Sequence, residues 1–195
     1  MKVGKLIGGL VTVAVIAVGG YLLWQSGMLS KMVPEVDTDC KSLLDKVKNK
    51  DTSKYVEAVV EYNHSDKGKG TYTYTRDDSG KFVCSDENNP TVVSLSLNTT
   101  LAETLELINN NYSDAELKEE YKFKTGLDTY TVSHEVHTKA EDVDMGDGII
   151  IHLDKSDSTT EVKYNTDGMV TSSYSKSTYG TKTSTEEYSV KWTTK

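Results

Sequence analysis

An uncharged run near the amino terminus constrains this chain more than any other feature. The 19 residues from Leu6 to Trp24 carry no charged side chain. As an α-helix, such a run spans about 28 Å, close to the roughly 30 Å hydrocarbon core of a bilayer. A helix satisfies its own backbone hydrogen bonds and can therefore cross lipid. The run predicts a transmembrane signal-anchor over residues 6–24.

The charges on either side of this run predict its orientation. Lys2 and Lys5 precede it, and all 30 acidic residues of the chain follow it. Cytoplasmic flanks are enriched in basic residues, so we expect residues 1–5 to form a cytoplasmic tail. Tyr21 and Trp24 lie at the far end, where aromatic rings prefer the headgroup layer. The sequence thus predicts a single-pass protein of the cell membrane with an extracytoplasmic carboxy-terminal part.

Cleavage of the run as a signal peptide is the alternative. Ala17-Val18-Gly19 has the small-x-small form that signal peptidases accept. The apolar residues from Tyr21 to Trp24 follow at once, which is unusual for a mature amino terminus and favours a retained anchor. Cleavage would instead release a secreted binding domain.

The part of the chain beyond the anchor is predicted to be one acidic domain. Residues 25–38 contain glycine, serine and proline without a clear period, which is typical of a linker. Residues 39–195 are long enough to bury a hydrophobic core. Because two of the 22 basic residues precede the anchor, 20 remain beside the 30 acidic residues. This acidity repels phosphate backbones, so we expect no nucleic-acid partner.

Alternating residues and turns predict that this domain is rich in β-strand. The 12 tyrosines and many threonines favour half-buried antiparallel sheet. Turn residues occur at Asp77–Gly80 and Asn165–Gly168. The strands are expected over residues 55–62, 71–75, 81–84, 91–97, 129–138, 148–154, 159–164, 169–179 and 186–193.

Short helices are expected beside these strands. Asp39 can cap a helix whose apolar residues recur on one face. Thr100 with Glu103, and Ser113 with Glu116, have the spacing of capping boxes. The predicted class is therefore α+β, with an antiparallel sheet of about eight strands and two or three small helices packed on one side.

The order of these elements resembles the half-barrel lipoprotein-carrier (LolA-like) family of bacterial envelopes. The stretches that carry the resemblance are Cys40–Val47, before the first long strand, and Lys163–Val170, which matches the strand, Asp-Gly and strand order before the family's last hairpin. The resemblance implies a curved antiparallel sheet with helices on its concave side and an apolar cavity for lipid or acyl chains. The strands of this chain depart from that pattern, because they carry many Thr, Ser and Lys residues.

The two cysteines of the chain, Cys40 and Cys84, are candidates for a disulfide. An even number of cysteines in an exported domain favours a bridge between them. In the loop-entropy relation, such a bridge would stabilise the fold by roughly 4 kcal/mol. The alternative is two free thiols that pack as small apolar residues.

The sequence gives only weak signals for a metal site, a catalytic nucleophile or a phosphate-binding loop. Of the histidines His64, His134, His137 and His152, the middle two point to opposite faces of a strand and cannot share one metal ion. The carboxylates within Glu141–Gly148 lack the spacing of a calcium-binding hand and are expected to form a solvated loop. The sequence contains no Gly-x-Ser-x-Gly elbow, and its glycines do not form a phosphate-binding loop.

These observations predict a non-catalytic function. An anchor combined with a β-rich domain that lacks clustered reactive side chains is typical of a binding module. We expect no metal ion and no cofactor. The expected partners are the membrane, through the amino-terminal helix, and an envelope protein or a lipid ligand.

Overall fold

The structure is a computed structural model that describes residues 35–144 and 150–195. The predicted anchor over residues 6–24 and residues 25–34 of the predicted linker lie outside these ranges. Within them, no helix combines the length and the apolar character needed to span a bilayer.

The described residues form an α+β domain built on one large antiparallel sheet. Its helices are α1 (Cys40–Val47), α2 (Thr91–Leu97), α3 (Leu101–Asn111) and α4 (Asp114–Glu120). Its strands are β1 (Val36–Thr38), β2 (Tyr55–His64), β3 (Gly68–Arg76), β4 (Phe82–Cys84), β5 (Tyr121–Thr125), β6 (Thr129–Thr138), β7 (Glu141–Asp144), β8 (Ile150–Leu153), β9 (Ser156–Asn165), β10 (Val170–Tyr179) and β11 (Lys182–Thr194). The predicted class and the antiparallel sheet are confirmed.

The main sheet has nine strands, in the order β1-β5-β6-β9-β10-β11-β2-β3-β4, and β7 pairs separately with β8. The last strand, β11, lies between β10 and β2, so the two halves of the chain share one sheet. The sheet therefore has one more strand than expected, and the described ranges contain four helices where two or three were expected.

One face of the main sheet is buried beneath the helices. Along β2, Ala58, Val60 and Tyr62 are buried, and the residues between them are more exposed. We call the face that carries these three side chains the inner face, and the opposite one the outer face. The helices complete this core with Leu43, Val93, Leu97, Leu101 and Leu105, each at most 2% exposed. Burial of these apolar side chains is the main driving force for the fold.

The helix starts that the sequence predicts are present. The Asp39 carboxylate accepts a hydrogen bond from the Ser42 amide at 2.8 Å. Complete capping boxes begin at Thr100 and at Ser113. Each cap satisfies amides of the first helical turn that would otherwise lack a partner.

The predicted turn between β9 and β10 is also present. Gly168 has a φ of +80°, a conformation that suits glycine, and its amide donates to the Asn165 carbonyl at 2.9 Å. The Gly168 carbonyl accepts from the Leu101 amide at 2.8 Å. The turn therefore holds the start of α3 against the sheet.

The strand predicted over residues 91–97 is wrong, because these residues form α2. Pro90 occupies its N-cap position, and the buried residues Val93 and Leu97 are four positions apart, which is the spacing of one helix face. The β-branched residues of this segment favour a strand locally. Burial against the core outweighs that weak preference.

Three further segments differ from the expectation. Val36–Thr38, within the predicted linker, pairs with β5 as an edge strand. Tyr121–Thr125, for which no strand was predicted, is that β5. Glu141–Asp144, expected as a solvated loop, pairs with β8. In each case a neighbouring strand supplies the backbone hydrogen bonds, and for Val36–Thr38 that strand is distant in sequence.

Candidate functional site

A cavity of about 550 Å³ lies at the β1 edge of the domain, on the inner face. The start of α1, the end of α3, helix α4 and strands β1 and β5 surround it. Small-molecule sites in proteins typically enclose roughly 300–1,000 Å³, so the cavity has the size of a ligand site.

The floor of the cavity is apolar. Tyr121 and Phe123 alternate along β5 and reach the inner face, where their rings stack with centroids 6.0 Å apart. Leu117 of α4 and Cys40 of α1 complete this floor. Phe123 is 6% exposed and Cys40 5%, so their contacts with the core hold the floor in place.

An aromatic cluster fixes the position of Tyr121. Its ring stacks on the His134 ring at 4.2 Å and meets the Tyr112 ring edge-on at 5.0 Å. The His134 Nε2 atom lies 3.2 Å from the Glu120 Oε2 atom. Burial, followed by a hydrogen bond with the Tyr112 hydroxyl, raises the pKa of Tyr121. Tyr121 therefore keeps its proton, and its aromatic neighbours hold its ring in the cavity wall.

The rim of the cavity carries balanced charge. Its carboxylates belong to Asp39 and Asp114, and its ammonium groups to Lys41 and Lys118. Hydrogen bonds from the Ser42 hydroxyl and amide lower the pKa of Asp39. Because the Asp39 carboxylate already caps α1, an anion at the start of that helix would meet a like charge. The rim therefore suits a ligand with both donors and acceptors around an apolar group.

The predicted disulfide between Cys40 and Cys84 is absent, and both residues are free cysteines. The Cys40 thiol points toward α3 and donates to the Leu105 carbonyl at 3.7 Å. Cys84 instead ends β4 opposite Tyr74, at the other edge of the sheet. The sheet places the two residues at opposite edges, which sequence spacing could not reveal. Of the two cysteines, only Cys40 lines the cavity.

We expect Cys40 to react slowly with alkylating reagents. Burial, and then the charge of Asp39, raises the pKa of the Cys40 thiol, and the thiolate is the reactive form. In the folded chain, iodoacetamide should label Cys84 at least about tenfold faster than Cys40. Peptide mass spectrometry measures both rates, and labelling in guanidinium is the control. A non-reduced mass lower by two hydrogens would show a disulfide instead.

Each histidine of the domain has its own hydrogen-bond partner. His137 Nδ1 lies 2.8 Å from Asp157 Oδ1, and His152 Nδ1 lies 2.6 Å from Asp142 Oδ1. The hydrogen bond with Asp142 raises the pKa of His152. His64 Nδ1 accepts from a backbone amide at 3.0 Å. Across residues 35–144 and 150–195, no group of three or more potential ligands is arranged to hold a metal ion.

A second cavity, of about 690 Å³, is a groove on the outer face across β9, β10, β11, β2 and β3. Two pairs of its polar groups contact each other. Asn63 Nδ2 donates to Glu187 Oε1 at 2.8 Å, and Lys163 Nζ lies 3.4 Å from Glu161 Oε1. The groove lacks a buried apolar floor, so the inner-face cavity is the better candidate site.

Sequence reasoning did not identify the cavity residues Leu117, Tyr121 and Phe123. A usable signal was present, because the alternation of aromatic residues and lysines over 121–124 follows directly after a capped helix. That pattern predicts a strand with one apolar face. It does not show that β1 and α1 enclose this face, since they come from residues much earlier in the chain.

The fold and the cavity define an α+β domain with one ligand-sized apolar site at a sheet edge. Comparisons with protein-family models, with curated proteins and with solved structures give no match for this chain.

Proposed function

We propose that this chain is a membrane-tethered, extracytoplasmic binding domain without catalytic function. The tether is the apolar run over residues 6–24, with the domain outside the cell membrane. The cavity between β1, α1, α4 and β5 takes an apolar group of a ligand or of an envelope protein partner.

The observation that carries this proposal is the apolar floor of a preformed cavity. Tyr121 is held by aromatic neighbours, and Leu117 and Phe123 present carbon surface beside it. Ligand sites combine such surface with a few polar groups that orient the ligand, as the charged rim does here. Cys40, the thiol at the cavity, donates to a carbonyl oxygen and has a raised pKa, unlike an activated nucleophile.

Replacing Leu117 by arginine is expected to weaken the binding of apolar probes. The purified full chain in detergent is titrated with the uncharged fluorophore N-phenyl-1-naphthylamine, and the signal from the same detergent without protein is subtracted, because micelles also take up the dye. We expect one saturable site in the native chain and at least about tenfold weaker binding in Leu117→Arg, because a charge then lies in the apolar floor. Leu117→Ala, which removes apolar surface without adding charge, should have a smaller effect of the same sign.

The matched control is Leu95→Arg. Leu95 is also a helical leucine, but it is 64% exposed on α2 and does not line the cavity. This variant should bind the probe as the native chain does, and circular dichroism confirms that all variants fold. Equal binding by Leu117→Arg and Leu95→Arg would exclude the cavity as the site.

A second candidate function is the carriage of lipid or acyl chains, as the half-barrel resemblance implies. The placement of the helices on one face of an antiparallel sheet favours it. In such a carrier the sheet is curved and its concave face is apolar. In this domain, Ser173, Ser175 and Ser177 alternate on the same face as buried Tyr188, which makes part of that face polar. Lipid analysis of an organic extract of the native chain separates the two functions.

A further inference from the structure

The groove on the outer face owes its shape to side chains of unequal length. Ser172 of β10 and Ser189 of β11 lie directly opposite each other. Longer side chains flank this pair in the same cross-strand row, since Glu61 is opposite Ser189 and Lys163 is opposite Ser172. The serines therefore form the floor of a groove of about 690 Å³, which has the size of a ligand site.

A second cross-strand row forms one wall of this groove. Residues two positions further along a strand project from the same face, about 7 Å away. In this row Tyr174 is opposite Glu187, and Glu187 is opposite Asn63. Asn63 Nδ2 donates to Glu187 Oε1 at 2.8 Å, so the amide and the carboxylate hold each other in place. Sites that are built on paired strands are more precise than sites on loops.

The charges of the groove are close to balanced. Its lining contains three carboxylates and two ammonium groups, from Glu61, Glu161, Glu187, Lys69 and Lys163. Lys163 Nζ and Glu161 Oε1 are 3.4 Å apart and partly neutralise each other. A strongly charged ligand would need a surplus of the opposite sign. The balance therefore favours an uncharged ligand.

The position of the groove argues against a peptide as its ligand. Peptides bind as an added strand at a free sheet edge, or through side chains in apolar pockets. This groove crosses the face of five strands that pair with each other, and the described residues that line it form no apolar pocket. An uncharged ligand with many hydroxyl groups fits it better.

A carbohydrate has this chemistry. Each sugar hydroxyl both donates and accepts, so it pairs with carboxylates, ammonium groups, amides and serine hydroxyls alike. The C–H face of a sugar ring is apolar and packs on an aromatic ring. Tyr174 is 43% exposed and offers such a ring at the groove. Tyr62 and Tyr188 also border the groove, but they are buried on the inner face.

The spacing of the strands suits a linear glycan. Neighbouring strands are about 4.8 Å apart, so each row presents polar side chains with this period from β9 to β3. A sugar unit in an extended glycan has a comparable length. A glycan that lies across the strands therefore meets new hydrogen-bond partners at each unit.

We propose that the outer-face groove binds a neutral linear oligosaccharide. One sugar ring lies over Ser172 and Ser189 and packs against Tyr174, and Glu187 and Asn63 bind its hydroxyl groups. The groove lies on the opposite face from the inner-face cavity, and its ligand does not depend on what that cavity binds.

Calorimetric titration of the full chain tests the proposal, in a detergent without a sugar headgroup. The probes are cellohexaose, maltohexaose and chitohexaose. We expect at least one of them to bind at a single saturable site. Tyr174→Ala should weaken this binding by about tenfold, because the stacking surface is lost. Tyr174→Phe, which keeps the ring, should have a smaller effect.

The matched control is Tyr179→Ala. Tyr179 lies in the same strand and is 54% exposed, but it does not line the groove. This variant should bind as the native chain does. Failure of the native chain to bind any of the three probes would overturn the proposal. Equal binding by Tyr174→Ala and Tyr179→Ala would overturn it as well.

Filling the floor of the groove provides an independent test. Ser189→Trp places a large side chain where the sugar ring would lie, and tryptophan is well tolerated in strands. We expect this variant to keep the circular dichroism spectrum of the native chain and to lose measurable oligosaccharide binding. Undiminished binding in a folded Ser189→Trp chain would show that the sugar binds elsewhere and would exclude the groove as its site.

Discussion

Leu105→Ala is expected to lower the free energy of unfolding by about 3 kcal/mol. Leu105 is 0% exposed and lies in α3, four residues after Leu101 and three before Ile108, which are also buried. Helix α1 packs against α3 at this point, where the Cys40 thiol meets the Leu105 carbonyl. Truncation leaves a cavity that close-packed neighbours on two helices and the sheet fill only partly.

Urea denaturation of the purified chain, followed by circular dichroism, measures this loss. Leu107→Ala is the matched control, because Leu107 lies in the same helix and is 59% exposed. Its unfolding free energy should stay within about 0.5 kcal/mol of the native value. Equal losses for the two variants would mean that α3 is not packed as described.

Tyr55→Phe is expected to lower the free energy of unfolding by about 2 kcal/mol. The Tyr55 hydroxyl donates to the Asp167 carboxylate at 2.6 Å and accepts from the Asn165 amide at 2.9 Å. Lys54 Nζ lies 2.7 Å from the same carboxylate. Hydrogen bonds to a charged group contribute roughly 1.5–3 kcal/mol each, and loss of the hydroxyl leaves a partly buried carboxylate with fewer donors. This network joins the start of β2 to the turn between β9 and β10.

The pH dependence of the same variant provides a second test. Burial alone would raise the pKa of Asp167, but the hydrogen bonds from Lys54 and Tyr55 outweigh it and hold this pKa below its ordinary value of 3.8. Burial and the Asp167 contact raise the pKa of Tyr55 to about 12. A depressed carboxyl pKa stabilises the fold above the unfolded pKa, and this contribution is lost as the pH falls through the folded value.

The difference in stability between native chain and Tyr55→Phe should therefore be full at pH 7 and shrink below about pH 4. Urea denaturation at a series of pH values measures it. Tyr179→Phe is the control, since Tyr179 is 54% exposed, and should show little effect at any pH. If the difference in stability between the native chain and Tyr55→Phe stayed constant down to pH 2, the contribution of the Tyr55 hydroxyl would not depend on the charge of Asp167.

Local signals in the sequence predicted the starts of α1, α3 and α4 and one turn because their causes lie within a few residues. Asp39 caps α1 through an amide three positions later, and the boxes that begin at Thr100 and Ser113 close over the same distance. The turn at Asn165–Gly168 likewise depends on one glycine with positive φ. Alternating residues predicted most of the long strands for a similar reason, since the side-chain period of a strand is set along the strand itself.

Only the tertiary structure decided the features that depend on distant partners. Residues 91–97 have strand-forming composition, yet they form a helix because Val93 and Leu97 bury together on one side. Val36–Thr38 becomes a strand because β5, more than eighty residues later, offers a free edge. Cys40 and Cys84 stay unpaired because the sheet order separates the edges on which they lie.

The sequence by itself thus determined the acidic β-rich class and the local caps, and the anchor over residues 6–24 stays a prediction. The cavity follows from which strands become neighbours. That choice is made by burial of the whole core and by loop closure over long separations, and no short window of sequence contains either.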